Sequence, residues 1–137
     1  MNILFTVCIL ACQIQAAHQF VRIGKVEGLI LSSKELSANF ISIPTERFSL
    51  GRKDVRFFEV EASKNDTLKV LKRYKRQYLG VIDKGKRYMF VVLYPSDRVA
   101  SYWKTQEVVC EDCPKVIVFF NLDICKIEKV VDLRKNW

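Results

Sequence analysis

An uncharged apolar run opens the chain, Ile3-Leu4-Phe5-Thr6-Val7-Cys8-Ile9-Leu10-Ala11-Cys12, and a short polar tail closes it on Ala16-Ala17. A short apolar core followed by small residues is the pattern of a secretory signal peptide. The run is shorter than the roughly 20 apolar residues that span a bilayer, and no later segment is long and uncharged enough to do so. The competing reading is a buried N-terminal strand or helix. We therefore read residues 1–16 as a signal peptide and 17–137 as one secreted domain. Everything the fold is built from then lies after Ala16, in an oxidising compartment where cysteines can pair.

The removed segment carries no charged side chain, so the net charge of +8 belongs to the domain. Hydrophobic residues make up 50% of the chain, enough to bury a real core. A basic balance points to anionic partners, and an extracellular location favours acidic glycan or protein over nucleic acid.

Cysteine usage narrows the chemistry. Cys110, Cys113 and Cys125 remain after the leader, so one internal bridge is the most that can form. The third thiol is then free or links two chains, so a disulfide-linked dimer is one of the two outcomes. Cys110-Glu111-Asp112-Cys113 lacks the further ligands that zinc needs and is read as a structural disulfide motif. Asn65-Asp66-Thr67 is an N-glycosylation acceptor triplet and implies an exposed turn.

Local patterns sketch the elements. Ser32-Ser33-Lys34-Glu35 forms a capping box, with Leu36, Phe40 and Ile43 on one helical face, and Pro44 ends it; a helix is expected over 33–42. Residues 17–30 are expected to be extended. Val55 to Ala62 reads as a strand, with a helix as the alternative. Leu68 to Ile82 reads as a long basic strand, Asp83-Lys84-Gly85-Lys86 as a turn, and Arg87 to Tyr94 as its partner. Val99 to Val109 is expected as a further strand. Val116 to Cys125 is the most strand-like run, with six residues that are β-branched or Phe. The expected fold is α+β: one helix packed on a curved antiparallel sheet of four to five strands.

No catalytic constellation is visible, and neither a metal site nor a cofactor is expected. The single histidine, His18, is read as a solvated residue near the start of the domain. The sharpest charge feature is Lys69, Lys72, Arg73, Lys75 and Arg76, followed by Lys84, Lys86 and Arg87 at the turn. On one hairpin these form a basic ribbon suited to acidic glycan or a receptor. The plainer reading is a solvated face or a lysine-guarded edge. Trp103 is a candidate loop contact, though Trp in a strand more often packs inside.

The stretch from Arg56 to Tyr94, with Arg56-Phe57-Phe58-Glu59-Val60, the Asn65-Asp66-Thr67-Leu68 break, Leu68-Lys69-Val70-Leu71, the turn at Gly85 and the apolar strand after it, resembles the central part of cystatins. These are secreted inhibitors of papain-like cysteine proteases. The resemblance implies an inhibitor, or a non-inhibitory relative that binds an extracellular protein. It also implies three contact elements, for which Gly24, the Gln77 to Gly85 stretch with Gly80 and Val81, and Trp103 are the candidates. The chain departs from the family where Gln77-Tyr78-Leu79-Gly80-Val81 lacks the glycine spacing of Q-x-V-x-G, and where Tyr102-Trp103 stands in place of Pro-Trp. A looser similarity links Phe20 to Leu31 and Gly85 to Leu93 with netrin-type barrels, without that family's N-terminal cysteine.

Overall fold

A computed structural model describes residues 18–34, 46–108 and 113–136. The expected leader, most of the helix expected at 33–42, Cys110 and Trp137 lie outside these residues. Strands β1 (Gln19–Ile23) and β2 (Val26–Ile30) form a hairpin, followed by β3 (Arg47–Phe48) and helix α1 (Arg52–Ala62). Strands β4 (Lys75–Asp83), β5 (Lys86–Tyr94), β6 (Val116–Asn121) and β7 (Lys126–Asp132) follow, and a single turn of 3-10 helix (Leu133–Asn136) closes the chain. The fold is α+β. Among the described residues the sheet has seven strands in the order β1-β2-β4-β5-β6-β7, with β3 also paired to β4, so it is larger than the four to five strands expected.

The β4–β5 hairpin is the longest ladder, pairing Lys75 with Tyr94 through to Asp83 with Lys86. Its two-residue turn needs left-handed backbone at both positions. Lys84 adopts φ 51° and Gly85 φ 77°, as the turn chemistry predicts. All other pairings are antiparallel except β2 with β4, where Gly28 aligns with Arg76 and Ile30 with Tyr78. Beyond that overlap, β3 takes the same edge of β4, pairing Arg47 with Val81 and Phe48 with Gly80. Two short strands thus share one flank of the central strand.

Residues 52–62 form a helix, which corrects the strand reading of this segment. Val55, Phe58, Glu59 and Ala62 fall at i, i+3, i+4 and i+7 and are all buried. Asp54 accepts from the Gly51 amide at 2.8 Å and satisfies the first turn. The helix touches β7 and β1, the two edges of the sheet, so the sheet curls around it. Phe58 packs edge-on against Phe120 at 5.4 Å and Tyr78 at 6.3 Å.

The opposite face is covered by the connection after β5. Residues 99–108 are turns and coil, which corrects the strand expected there. Trp103 and Val108 are buried in a second cluster with Leu79, Val81, Val92 and Tyr94. Polar side chains hold this segment down. Val108 N donates to Gln77 Oε1 at 3.1 Å, Gln77 Nε2 donates to Gln106 O at 3.3 Å, and the Tyr94 hydroxyl donates to Val108 O at 3.0 Å. The segment's apolar residues serve as a lid on the sheet, so strand-like composition did not need strand pairing. With both faces covered, Arg76 through Val81 are all buried, and the long basic strand expected from Leu68 begins only at Lys75.

Candidate functional site

The central feature of the interior is ionic. Arg76 is 1% exposed and Glu59 7%. Arg76 Nε lies 3.0 Å from Glu59 Oε2 as an ion pair. Arg76 Nη1 donates to Leu71 O at 2.9 Å and Tyr74 O at 2.7 Å. The Tyr78 hydroxyl donates to Glu59 Oε2 at 2.8 Å. Burial pushes the Glu59 carboxyl up, against the pull of Arg76 and Tyr78. Burial and then the Glu59 charge push the Tyr78 phenol well up. Arg76 therefore belongs to the framework and leaves the expected surface patch.

The remaining basic residues divide between two ends. Strand β4 carries nine residues from Lys75 to Asp83. At about 3.4 Å per residue its ends lie roughly 27 Å apart. Lys84, Lys86 and Arg87 sit at the far end. There Arg87 Nε donates to Asp123 Oδ1 at 3.1 Å, and Leu122 N donates to Arg87 O at 2.9 Å. The near end holds Lys69, Lys72, Arg73 and Lys75. The ribbon expected to unite all of them exists as a hairpin, but its length separates the two groups.

The near end gains a residue that sequence reasoning missed. The β1–β2 turn, with Gly24 at φ 60°, brings Lys25 to the same end, because β2 runs parallel to β4. Lys25 and Lys72 line one open groove of about 260 Å³, with Ile23, Val26 and Val60 as its apolar wall and Ser63 and the ion-paired Glu59 completing the lining. Lys25, Lys72 and Arg73 are exposed, and none has a carboxylate partner among the described residues. Around them the other charges are paired. Lys75 and Arg22 both reach Glu27, at 2.7 and 2.8 Å. These two hydrogen bonds, Lys75 first, bring the Glu27 carboxyl down to about 2. Two cations sharing one carboxylate leave this cluster positive. Lys69 pairs with Asp66 at 2.9 Å, and both are solvated. No sequence signal links Lys25 to Lys72, since only the parallel register brings them together.

No protein family, curated protein or solved structure matches this chain. The geometry of its own residues carries the functional argument.

The candidate protease-contact residues do not form one surface. Gln77, Gly80 and Val81 are buried within β4, which corrects their candidacy as exposed protease contacts. Gly80 is there for close packing: a Cβ would stand 2.5 Å from Phe48 O. Trp103 is 7% exposed, packed edge-on to Phe20 at 5.7 Å, with the Lys75 ammonium 5.3 Å from its ring centre. It is an interior anchor, which corrects its reading as a loop contact. Gly24 and Gly85 are both exposed turn glycines, but they occupy opposite ends of the sheet. A wedge needs its elements side by side, and here they are apart.

Among the cysteines, Cys113 is buried and disulfide-bonded, whereas Cys125 is an exposed free thiol, so of the three candidates Cys125 is the one left out of the bridge. His18 is half-buried, and its Nδ1 accepts from Ser32 N at 2.8 Å, so it supports the backbone instead of standing in solvent. Among the described residues, no group of three or more His, Cys, Asp or Glu side chains could hold a metal ion. No described helix is long and apolar enough to cross a membrane.

Proposed function

We propose that this chain is an extracellular, non-enzymatic binding module that takes a sulfated glycan at the basic end formed by Lys25, Lys72 and Arg73. The observation that carries the reading is the convergence of the unpaired Lys25 and Lys72, from two distant segments, on one groove, with the exposed Arg73 next to Lys72 in the chain. The ion pairs and buried network beside them fix the loops that present them, so little ordering entropy is lost on binding. The cystatin-like inhibitor reading has less support, because its contact residues are either buried or at opposite ends.

Heparin affinity chromatography tests the proposal. Replacing Lys25, Lys72 and Arg73 with Gln should lower the eluting salt concentration sharply. Replacing Lys84, Lys86 and Lys126 with Gln removes the same charge from the far end and should change elution little. Equal losses from both variants would reduce the binding to net charge and sink the site.

A further inference from the structure

Asn65 sits in the first turn after α1, outside the basic groove. Its Oδ1 accepts from Thr67 N at 3.0 Å and from Leu68 N at 3.1 Å, and its backbone carbonyl accepts from Lys69 N at 2.8 Å. The carboxamide is thereby held with its oxygen turned to the backbone. Asn65 Nδ2 donates to no described residue. The surroundings are open, since the Lys64 side chain is 68% exposed and that of Asp66 95%. The local fold asks only for an acceptor oxygen at position 65, and Asp would serve as well as Asn. What Asn adds is an amide nitrogen with no acceptor among the described residues, on a half-buried side chain two residues before a threonine.

We infer that Asn65 is an N-linked glycan acceptor whose oligosaccharide projects from the α1 corner while its carboxamide oxygen continues to cap the turn. The inference rests on the extracellular reading above. The donor class is a polyprenyl-pyrophosphate-linked oligosaccharide. The Asn65 nitrogen forms a bond to the anomeric carbon, the bond from that carbon to the pyrophosphate oxygen breaks with its electron pair leaving on the pyrophosphate, and the amide gives up one proton. The product retains one N–H and both Oδ1 hydrogen bonds, so glycosylation leaves the turn intact. Enzymatic removal of the glycan converts Asn65 to Asp, which caps the same turn, so the deglycosylated protein stays folded.

The test is expression of the full chain in cultured animal cells, alongside a second form whose residues 1–16 are replaced by an established secretory leader. Protein from the medium should lose mass on peptide-N-glycosidase treatment. Asn65→Asp and Thr67→Ala should abolish that shift, and Thr67→Ser should keep it. Asn65→Asp preserves the cap, so its loss of the shift does not reflect misfolding. Secreted protein of either form that shows no shift overturns the glycan site and leaves secretion standing. Full chain retained in the cell without a shift, beside a leader-swapped form that shifts, overturns the extracellular reading and leaves Asn65 as an acceptor.

Discussion

The Tyr78 hydroxyl donates to Glu59 Oε2 at 2.8 Å and ties the middle strand of the sheet to the helix it wraps. Arg76, on the same face of β4, pairs with the same carboxylate oxygen at 3.0 Å. One carboxylate oxygen thus faces both side chains, by a hydrogen bond to Tyr78 and an ion pair with Arg76.

Removing either partner should be costly. Tyr78→Phe deletes a hydrogen bond to a charged group and should destabilise by about 1.5–3 kcal/mol. Glu59→Gln leaves the Arg76 guanidinium buried without a counter-ion and should cost more, about 3–5 kcal/mol. Urea unfolding midpoints of the two variants give the order directly, and a smaller loss for Glu59→Gln would contradict it.

Gly28 owes its place to the same contact. A Cβ there would stand 2.3 Å from Tyr78 Cε2 and 2.9 Å from its hydroxyl. The ring passes over β2 to reach Glu59, and only glycine leaves that path open. Gly28→Ala should destabilise by about 1–3 kcal/mol through overpacking. Combining it with Tyr78→Phe should cost less than the two losses added together, because both act on one ring. Additive losses would show that the ring does not mediate the effect.

Stability should depend on acid through Glu27. Its carboxyl lies at about 2 in the folded protein against an ordinary 4.5, held down by Lys75 and Arg22. A depressed folded value stabilises above 4.5, and that stability is lost as the pH falls from 4.5 towards 2. Glu59, raised by burial, acts above 4.5 with the opposite sign, its contribution falling as the pH rises through its folded value. Unfolding midpoints followed from pH 5 to pH 2 should show a shallower decline in Glu27→Gln than in the parent. Parallel declines would remove Glu27 from the account.

The two cysteines described differ in accessibility. Cys125 is exposed at φ 52° in the β6–β7 turn, with exposed Ile124 beside it, while Cys113 is buried in a disulfide. A thiol reagent applied to native protein should label Cys125 and leave Cys113 unlabelled until the protein is reduced and unfolded. Peptide mass mapping separates the two, and labelling of native Cys113 would contradict its bridged state.

How much of this was legible beforehand varied with how local each element is. The β4–β5 turn was readable because Asp83-Lys84-Gly85-Lys86 supplies the backbone freedom that a two-residue hairpin needs. Strand β6 was readable from its β-branched and aromatic run. Helix α1 was ambiguous, since Arg56-Phe57-Phe58-Glu59-Val60 suits a strand by composition, and the spacing of Val55, Phe58 and Ala62 decides it only once a sheet is there to receive that face. Strand β7 passed unnoticed because Lys126-Ile127-Glu128-Lys129 is mostly charged, as an edge strand can be.

The sequence by itself pointed to the α+β class, though from a helix at 33–42 that lies mostly outside the described residues, and it determined the position of the β4–β5 turn, because that turn depends on side-chain sterics within a few residues. Only the tertiary structure decided which charges are buried in the framework and which face solvent. Arg76 and Lys72 stand four residues apart with the same side-chain chemistry in view, yet Arg76 is desolvated against Glu59 while Lys72 faces solvent beside Lys25. That division follows from the parallel pairing of β2 with β4 and from the helix lying across it. Desolvation and long-range pairing depend on which strands meet, and no local pattern in the chain records that.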